Sequence, residues 1–256
     1  MLLYNTGMYL SVVIPQYNES QNIRSGAITS VAEYLGKQNF EWELIIVDDG
    51  STDDSYSVTQ NIIQKNPKIK QIRIPHGGKP AAIYEGIKLV KSDYILLTDM
   101  DQSTPISELE KLIKYTNQFP IIIGSRGGTR KDAPLLRKLS GFIFGTYRRI
   151  LILRSIKDTQ CGFKLFNVKV LKKYFPRISS LGKKNVKGWS VSAFDVELLF
   201  MLSKAGYRIK EVPVKWNDLD KSETKDRKFI NESLDMAKQI WMIQFNNLRG
   251  KYKEAP

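Results

Sequence analysis

The sequence contains few of the residues that build redox or zinc chemistry, with one cysteine and one histidine in 256 residues. Because Cys161 has no second cysteine to pair with, an intramolecular disulfide is excluded, and the chain fits a reducing compartment or is indifferent to redox conditions. A zinc site draws on several nitrogen and sulfur ligands, so a zinc enzyme is not expected. We interpret Cys161 as a small core residue and His76 as a turn residue.

Long apolar runs are also missing. No stretch reaches the roughly 18 uninterrupted apolar residues of a membrane span. The opening residues MLLYNTGMYLSVVIP lack the basic start and long apolar core of a signal peptide. We therefore expect a soluble protein or one bound to a membrane surface.

Two glycine-rich phosphate motifs are absent as well. The sequence has no G-x-x-x-x-G-K-[ST] segment and no G-x-G-x-x-G segment after its first predicted strand. A P-loop enzyme and a dinucleotide-binding enzyme are therefore not expected. A bound nucleotide would have to be held by an aromatic residue, carboxylates and a metal ion.

Acidic residues are outnumbered by basic ones, 26 to 40, which gives a net charge of +14. This balance predicts a polyanionic partner: nucleic acid, a phosphate-rich substrate or an anionic membrane surface. A nucleic-acid-binding protein would place basic residues among exposed aromatics. The ends of the predicted strands carry acids instead, which repel phosphate unless a cation intervenes, so nucleic acid is not expected as the partner.

The first half of the chain alternates short β-branched runs with longer amphipathic stretches. The predicted strands are 9–15, 42–49, 69–75, 94–99 and 120–125, and the helices between them are 20–38, 52–66, 78–91 and 106–118. Strands that are apolar throughout and separated by helices indicate right-handed βαβ units. The sequence therefore predicts an α/β protein with a mainly parallel sheet flanked by helices.

Polar clusters follow all five of these strands. They are Gln16 to Glu19, Asp48 to Gly50, His76 to Lys79, Asp99 to Asp101, and Ser125 with Arg126. In such sheets ligands bind beyond the carboxyl ends of the strands, so these residues are expected to share one site. The spacing of Ser51 and Asp54 also predicts a capping box at the start of a helix.

Two carboxylates one residue apart, Asp99 and Asp101, follow the fourth strand. Carboxylates held close together in a loop suit a hard divalent cation with oxygen ligands. The sequence therefore predicts a Mg²⁺ or Mn²⁺ site at Asp99 and Asp101.

The regular alternation ends near residue 126, and we divide the chain there into 1–126 and 127–256, within one compact catalytic domain. The second part is predicted to contain strands 162–166 and 208–214 and helices 193–205 and 230–249. Its segment 135–154 combines an apolar face with five basic residues, Arg137, Lys138, Arg148, Arg149 and Arg154. The apolar face could pack into the core or contact a membrane. A basic residue near an anionic membrane gains about 1 kcal/mol, which favours contact of this amphipathic helix with a membrane surface.

The ordered motifs resemble those of one family. VVIPQYNE, IIVDDGSTD, GGKPAAIYEG, the Asp-x-Asp strand end, IIIGSR and DTQCGFKLF occur in this order, as in family 2 inverting glycosyltransferases. DTQCGFKLF together with EVPVKW favours the polyprenyl-phosphate branch, with dolichyl-phosphate β-glucosyltransferase as the nearer relative and dolichol-phosphate mannose synthase as a more distant one. The resemblance implies a GT-A-type Rossmann-like fold, with 1–126 binding a nucleotide sugar and 127–256 binding the acceptor.

The resemblance also implies roles for individual residues. Those expected at the nucleotide are Pro15, Tyr17, Glu19, Asp48, Asp49, Lys79 and Asp99. Asp99 and Asp101 would hold the metal on the diphosphate, and Asp101 would thereby stabilise the leaving group. Arg126 and Arg130 would meet phosphate of the donor or the acceptor. The donor is expected to be UDP-linked, and the acceptor a polyprenyl phosphate on the cytoplasmic face of a membrane, where the protein is peripheral.

A third metal ligand is not fixed by the resemblance. The mannose synthase relative has a glutamine two residues beyond its second aspartate. Here that position is Ser103, while Gln102 lies one residue earlier. Both remain candidates.

The acceptor decides whether a catalytic base is needed. A lipid phosphate is already ionised at pH 7 and requires only placement in a basic environment, for which loop 126–131 and Lys225 with its neighbours Arg227 and Lys228 are candidates. A hydroxyl of a glycan or protein would require a carboxylate base. Asp158 is then the first candidate and Asp195 the second.

Overall fold

A computed structural model describes residues 9–64, 66–127, 153, 156–181, 193–217, 219 and 229–252, with the side chains of 229–237 outside the description. Within these residues one seven-stranded sheet is flanked by helices. The strands are β1 (Tyr9–Gln16), β2 (Glu41–Asp48), β3 (Ile69–Arg73), β4 (Tyr94–Leu97), β5 (Ile121–Ser125), β6 (Lys164–Asn167) and β7 (Ile209–Pro213). The helices are α1 (Ser20–Arg24), α2 (Ala27–Gly36), α3 (Ser55–Ile63), α4 (Lys79–Leu89), α5 (Leu109–Ile113), α6 (Val168–Tyr174), α7 (Phe194–Lys204) and α8 (Phe229–Leu248).

The strand order is β3-β2-β1-β4-β6-β5-β7. Pairing is parallel from β3 through β4 and between β5 and β7, whereas β6 runs antiparallel to both of its neighbours, β4 and β5. The predicted mainly parallel α/β sheet is confirmed. Because β6 is reversed, the residues that precede it meet the carboxyl ends of the other strands. We call this edge of the sheet the carboxyl edge.

The sheet is covered on both faces, which explains its uninterrupted apolar strands. Along β1 and β2, successive side chains alternate between two core clusters: Val13 and Ile45 belong to one, and Val12 and Leu44 to the other. The first cluster includes residues of α4, α6, α7 and α8, and the second includes residues of α1, α2 and α5. Both clusters also contain strand residues from beyond position 126, so the predicted boundary at 126/127 follows β5 within one shared sheet.

Several helix boundaries differ from those predicted. The predicted helix 20–38 is divided into α1 and α2 at Gly26, whose φ of 93° lies in the left-handed region. The predicted helix 106–118 is a 3₁₀ turn, Ile106–Glu108, followed by the short α5. Helix α6 was not predicted from the sequence. No helix among the described residues has both the length and the apolar character required to cross a bilayer.

The capping box predicted at Ser51 and Asp54 is wrong. Helix α3 begins at Ser55 and has no side-chain cap. The Ser51 hydroxyl instead accepts a hydrogen bond from the backbone N–H of Asn18 (3.0 Å), and the Asp53 carboxylate accepts one from that of Ser20 (3.2 Å). These side chains therefore join the loop after β2 to the loop after β1.

The predicted amphipathic segment 135–154 lies outside the described residues, apart from the buried Leu153. The same holds for Arg130 and for Lys225 with its basic neighbours. Membrane contact through 135–154 and phosphate contact by Arg130 and Lys225 therefore stay predictions.

Helix α4 approaches the sheet at Gly86, which gives a stability prediction. A Cβ on Gly86 would lie 2.6 Å from Cγ1 of Val13 and 3.2 Å from Cγ2 of Val47. Gly86→Ala should lower the free energy of unfolding by about 1–3 kcal/mol, because overpacking outweighs the gain in helix propensity. Urea unfolding followed by circular dichroism measures the change.

Gly36→Ala is the matched control, since a Cβ at Gly36 in α2 meets nothing within 4 Å. It should be neutral or stabilising by up to about 1 kcal/mol. Equal effects of the two substitutions would show that α4 does not depend on this close approach.

Candidate active site at the carboxyl edge of the sheet

A small cleft opens at the carboxyl edge. It is lined by Pro15, Lys79, Ile83, Leu97, Thr98, Asp99, Gly162, Lys164, Phe194 and Asp195. These residues come from β1, α4, β4, the segment before β6, β6 itself and the first turn of α7. The structure thus brings together residues that the sequence places far apart. Lys164, Phe194 and Gly162 were not among the predicted site residues.

Asp48, predicted at the nucleotide, does not face the cleft. It is fully buried, and its Oδ1 accepts a hydrogen bond from Gln16 Nε2 (2.9 Å). Its Oδ2 lies 3.2 Å from Nε of Arg73 and accepts from the backbone N–H of Ser51 (3.3 Å). Asp48 thus joins β1, β2 and β3, and contact between Asp48 and a nucleotide stays a prediction.

Asp49 organises the turn between β3 and α4. Its two carboxylate oxygens accept hydrogen bonds from the backbone N–H groups of Gly77 and Gly78, both at 2.8 Å, and its Oδ2 lies 2.9 Å from Nδ1 of His76. Burial raises the pKa of the carboxyl group above its ordinary value despite these partners. Lys79 follows directly, so Asp49 sets where α4 begins. Contact between Asp49 and a nucleotide stays a prediction.

An aromatic pair lies beside this turn. The rings of Tyr17 and His76 stack with centroids 4.3 Å apart and an angle of 21°. Nε2 of His76 is buried and has no hydrogen-bond partner among the described residues. Glu19, also predicted at the nucleotide, accepts a hydrogen bond from Asn22 Nδ2 (2.6 Å), and Pro15 lines the cleft. Sequence analysis assigned Tyr17 to the nucleotide and interpreted His76 as a turn residue, because the stack joins two separate loops and has no local signal in the sequence.

A lysine and an aspartate meet at the centre of the cleft. Nζ of Lys79, the first residue of α4, lies 2.5 Å from Oδ1 of Asp99, two residues after β4. Burial opposes both charges, but their mutual attraction is stronger: the pKa of Lys79 is raised, and that of Asp99 is lowered. Asp195 and Asp101 add to the shift at Lys79. Both groups are therefore ionised at neutral pH.

Gly162 makes room for Asp99. A Cβ on Gly162 would lie 2.0 Å from Oδ2 and 2.6 Å from Cγ of Asp99. A methyl group at this position would overlap the carboxylate. The glycine of the DTQCG motif is thus required by the position of a side chain on another strand.

The second carboxylate, Asp101, accepts a hydrogen bond from the backbone N–H of Ser103 (2.8 Å) through its Oδ1. Gln102 between them adopts a φ of 51°, and its Nε2 donates to the backbone carbonyl of Asp99 (2.7 Å). Its Oε1 is buried without a partner among the described residues. The Ser103 hydroxyl accepts from the N–H of Leu219 (3.3 Å).

These residues fit a hard divalent cation. The oxygen set of Asp99, Asp101 and the unpartnered amide oxygen of Gln102 has the chemistry that Mg²⁺ and Mn²⁺ prefer. No group of three or more histidine, cysteine or acidic residues with metal-site geometry occurs among the described residues. Mg²⁺ commonly completes its coordination with waters and the oxygens of substrate phosphates.

Asp158 holds Arg126 in a bidentate ion pair. Its Oδ2 accepts from Nε and from the backbone N–H of Arg126 (2.8 and 3.0 Å), and its Oδ1 accepts from a terminal guanidinium nitrogen (2.9 Å). Burial alone would raise the pKa of Asp158, but these bonds lower it to about 2. A carboxylate with this pKa is a poor proton acceptor, and Asp158 here positions Arg126. Its role as general base toward a hydroxyl acceptor stays a prediction.

The last charged pair joins β6 to α7. Nζ of Lys164 lies 3.0 Å from Oδ1 of Asp195 and also donates to the carbonyl of Cys161. Lys164 is almost fully buried, whereas the Asp195 side chain borders the cleft. Burial raises the pKa of the Cys161 thiol, so this buried residue is not an activated nucleophile, in line with its interpretation as a core residue.

Residues 11–175 match the family described as glycosyl transferase family 2. The dolichyl-phosphate beta-glucosyltransferase of Saccharomyces cerevisiae is 32% identical over 270 residues, which cover 96% of this chain and 77% of that protein. That of Homo sapiens is 32% identical over 265 residues, covering 95% and 77%. The chain belongs to glycosyl transferase family 2. It is therefore a nucleotide-sugar-dependent glycosyltransferase, as its motif order indicated.

A solved structure supports the fold of this family 2 glycosyltransferase. Glucosyl-3-phosphoglycerate synthase from Mycobacterium tuberculosis, in complex with Mn²⁺, UDP-glucose and phosphoglyceric acid, aligns with a TM-score of 0.62 and 16% identity over 93% of this chain and 80% of that chain. The predicted GT-A-type Rossmann-like fold is confirmed.

The Arg126–Asp158 pair yields a pH-dependent prediction. Asp158→Asn should lower the free energy of unfolding at pH 7 by about 2 kcal/mol, since a carboxyl pKa depressed from 3.8 to about 2 represents that much stabilisation. A depressed folded-state pKa stabilises above the unfolded value and ceases to do so as the pH falls through the folded value. The difference between wild type and variant should therefore shrink between about pH 4 and pH 2.

Urea unfolding at neutral pH and at about pH 3 tests this dependence. Asp93→Asn is the control, because Asp93 is exposed at the opposite end of β4. A gap between wild type and Asp158→Asn that is equal at both pH values would contradict the depressed pKa.

Gly162→Ala tests the placement of Asp99. The carboxylate would have to move because Cβ would otherwise lie 2.0 Å from its Oδ2. A displacement of about 1 Å at an active site can cost about 100-fold in rate, so donor-sugar turnover should fall by about that factor. The free energy of unfolding should change by less than about 1 kcal/mol, because only the end of a side chain has to shift.

Donor turnover is measured as release of the nucleoside diphosphate, and stability by urea unfolding. Gly36→Ala, remote from the cleft, serves as the control for both. Full turnover in Gly162→Ala would show that the position of Asp99 is not required.

Proposed function

We propose that this enzyme transfers a hexose, with inversion, from a UDP-linked donor to a polyprenyl phosphate at the cytoplasmic face of a membrane. The named activity of the yeast and human relatives, which align with almost the whole chain, supports a lipid-phosphate acceptor. The pairing of the candidate bases Asp158 and Asp195 with cations also supports a phosphate acceptor rather than a hydroxyl. These charge pairs concern the acceptor. The uridine and the hexose of the donor rest on the resemblance and on the relatives.

The observation that carries the proposal is the state of the candidate bases. Asp158 is held by Arg126 with a pKa of about 2, and Asp195 is paired with Lys164 at 3.0 Å. Transfer to a hydroxyl needs a carboxylate that can take up a proton near neutral pH. A phosphate acceptor is already ionised and needs only to be oriented. The cleft is therefore better suited to a phosphate nucleophile.

The leaving diphosphate would meet cationic groups of this chain. Lys79 lies at the start of α4, where the helix dipole adds positive potential, and Arg126 lies at the end of β5. A divalent cation held by Asp99 and Asp101, with Gln102 as the third protein ligand, would supply Lewis-acid stabilisation of the developing charge. Lys79, bound to Asp99 in this structure, would neutralise further charge on the diphosphate.

The donor base would bind near the loop after β1. Pro15 lines the cleft, and the Tyr17–His76 stack offers a flat aromatic surface close to the same loop. Aromatic stacking favours a planar base without selecting between uracil and guanine. The preference for UDP rests on the resemblance and on the polyprenyl-phosphate glucosyltransferases among the relatives.

An assay with purified enzyme, Mn²⁺ or Mg²⁺, UDP-glucose or GDP-mannose, and short-chain polyprenyl phosphate tests the proposal. UDP release should depend on both the lipid phosphate and the divalent cation. Asp101→Asn should lower the rate by about 100-fold or more, the usual cost of removing one group that stabilises developing charge. Asp93→Asn, an exposed carboxylate at the other end of the same strand, should keep the wild-type rate.

Two outcomes would contradict the proposal in different ways. An absence of nucleotide release with every donor and polyprenyl phosphate would exclude the acceptor class. Turnover with a glycan hydroxyl, abolished in Asp195→Asn and indifferent to lipid phosphate, would favour the soluble hydroxyl-directed alternative. Full activity of Asp101→Asn would separately exclude the metal assignment.

A further inference from the structure

Helix α8 has two apolar sides, and only one of them is packed against the protein. Ile240 and Ile243 are buried in the core cluster that contains α7. On the rest of the helix Trp241, Met242, Phe245 and Leu248 are 64%, 53%, 40% and 83% exposed. We call these four residues the α8 apolar face. They make up four of the six large exposed hydrophobic residues in the described part of the chain.

The α8 apolar face is continuous along the helix. Trp241, Phe245 and Leu248 are separated by four and three positions, which places them on one side. The rings of Trp241 and Phe245 lie 6.4 Å apart and are inclined by 17°, and the Arg249 guanidinium lies 4.2 Å from the centre of the Phe245 ring. Aromatic contact orders the face, and a cation lies at its end.

Basic residues predominate in the part of α8 that carries this face, whereas the first part of the helix contains Glu232 and Asp235. Residues 238–252 contain three basic residues, Lys238, Arg249 and Lys251, and no acidic residue. All three are exposed, as is Lys204 on α7, whose Nζ contacts Asn247 of α8. An exposed aromatic and aliphatic face flanked by cations has the composition of a helix that lies in the interface of an anionic membrane.

We propose that the α8 apolar face is a membrane-docking surface, which inserts among the headgroups of an anionic bilayer while the adjoining basic residues contact lipid phosphates. A second copy of the chain is a less suitable occupant, because two surfaces of like charge would be brought together on chains of net charge +14. The described residues contain no membrane-spanning helix, so α8 would attach by its side.

Docking here would orient the cleft. Oε1 of Gln239 in α8 accepts a hydrogen bond of 2.7 Å from the backbone N–H of Ala193, the residue before α7. Asp195 in the first turn of α7 lines the cleft. The membrane-contacting helix is therefore bonded directly to the segment that borders the active site, close to where a lipid-linked acceptor would have to enter. This orienting role rests on the proposed function, whereas docking itself does not.

Vesicle binding tests the docking surface without any substrate. Full-length wild type should co-sediment with vesicles of phosphatidylcholine and phosphatidylglycerol and less with phosphatidylcholine alone. The double substitution Trp241→Ser and Phe245→Ser should weaken binding by about tenfold or more, because two aromatic side chains no longer enter the bilayer. Arg249→Gln should reduce the dependence on phosphatidylglycerol.

The matched control is Leu89→Ser, which removes a large hydrophobic side chain that is 41% exposed on α4. It should bind vesicles as the wild type does. Circular dichroism and urea unfolding verify that both variants fold. Should the double variant be unstable, Trp241→Phe provides a second readout: the blue shift of tryptophan emission on vesicles should be lost while binding is retained.

Three results would overturn the proposal. The double variant could bind vesicles as tightly as wild type, Trp241→Phe could leave the emission shift intact, or light scattering could show a wild-type dimer that the double variant converts to monomer without lipid. The last result would assign the face to a second copy. An inactive enzyme that still docks through α8 would contradict only the proposed function. If the double variant lost activity on a vesicle-embedded acceptor but still used a water-soluble short-chain acceptor, both the docking surface and the proposed function would be supported.

Discussion

The ion pair between Lys79 and Asp99 depends on three separate parts of the chain. Nζ of Lys79 and Oδ1 of Asp99 lie 2.5 Å apart in the cleft, where both side chains are partly buried. Asp49 fixes the turn from which Lys79 emerges by accepting from two successive backbone N–H groups. Gly162 leaves the space that the Asp99 carboxylate occupies. The motifs around Asp49, Lys79, Asp99 and Gly162 are therefore parts of one arrangement.

Charge is balanced pair by pair around this cleft. Lys79 faces Asp99, Arg126 faces Asp158, and Lys164 faces Asp195. Removing one member would leave the other as a poorly solvated charge, which is costly in a partly buried site. A divalent cation and a diphosphate arriving together bring charges of both signs, so Lys79 could exchange Asp99 for phosphate without leaving either charge uncompensated. Binding of donor and metal is expected to be coupled for this reason.

Much of the fold could be predicted because apolar runs and the polar clusters after them are local features of the sequence. The ends of β1 to β5 lie where those clusters indicated, and Asp99 and Lys79 do lie in the cleft. The direction of β6 could not be predicted, since a short apolar run has the same pattern in either orientation. That direction decides whether the DTQCG segment reaches the site.

The roles of individual acids were harder to predict, because composition does not show which cation a carboxylate meets. Asp48 and Asp49 are adjacent, yet one braces three strands and the other holds a turn. Asp158 pairs with Arg126, 32 positions away, and the sequence does not show this contact, which lowers the pKa of the Asp158 carboxyl group. His76 was interpreted as a turn residue, and only the structure shows that its ring stacks on Tyr17 from another loop.

Helix α7, which carries Asp195 at the cleft, is held in place by hydrogen bonds to its buried Glu197. Two residues after Asp195, the buried carboxylate of Glu197 accepts from the backbone N–H and hydroxyl of Ser179 (2.9 and 2.6 Å) and from the hydroxyl of Tyr252 (2.7 Å). Burial, together with the bond to Glu197, raises the pKa of Tyr252 to about 12, so the phenol remains a donor at any physiological pH. The chain beyond α8 is thereby fastened to the helix that carries Asp195. Because Gln239 of α8 bonds to Ala193, just before α7, and Tyr252 bonds to Glu197 within it, the part of α7 that borders the cleft is joined to α8 and the chain beyond it at two points.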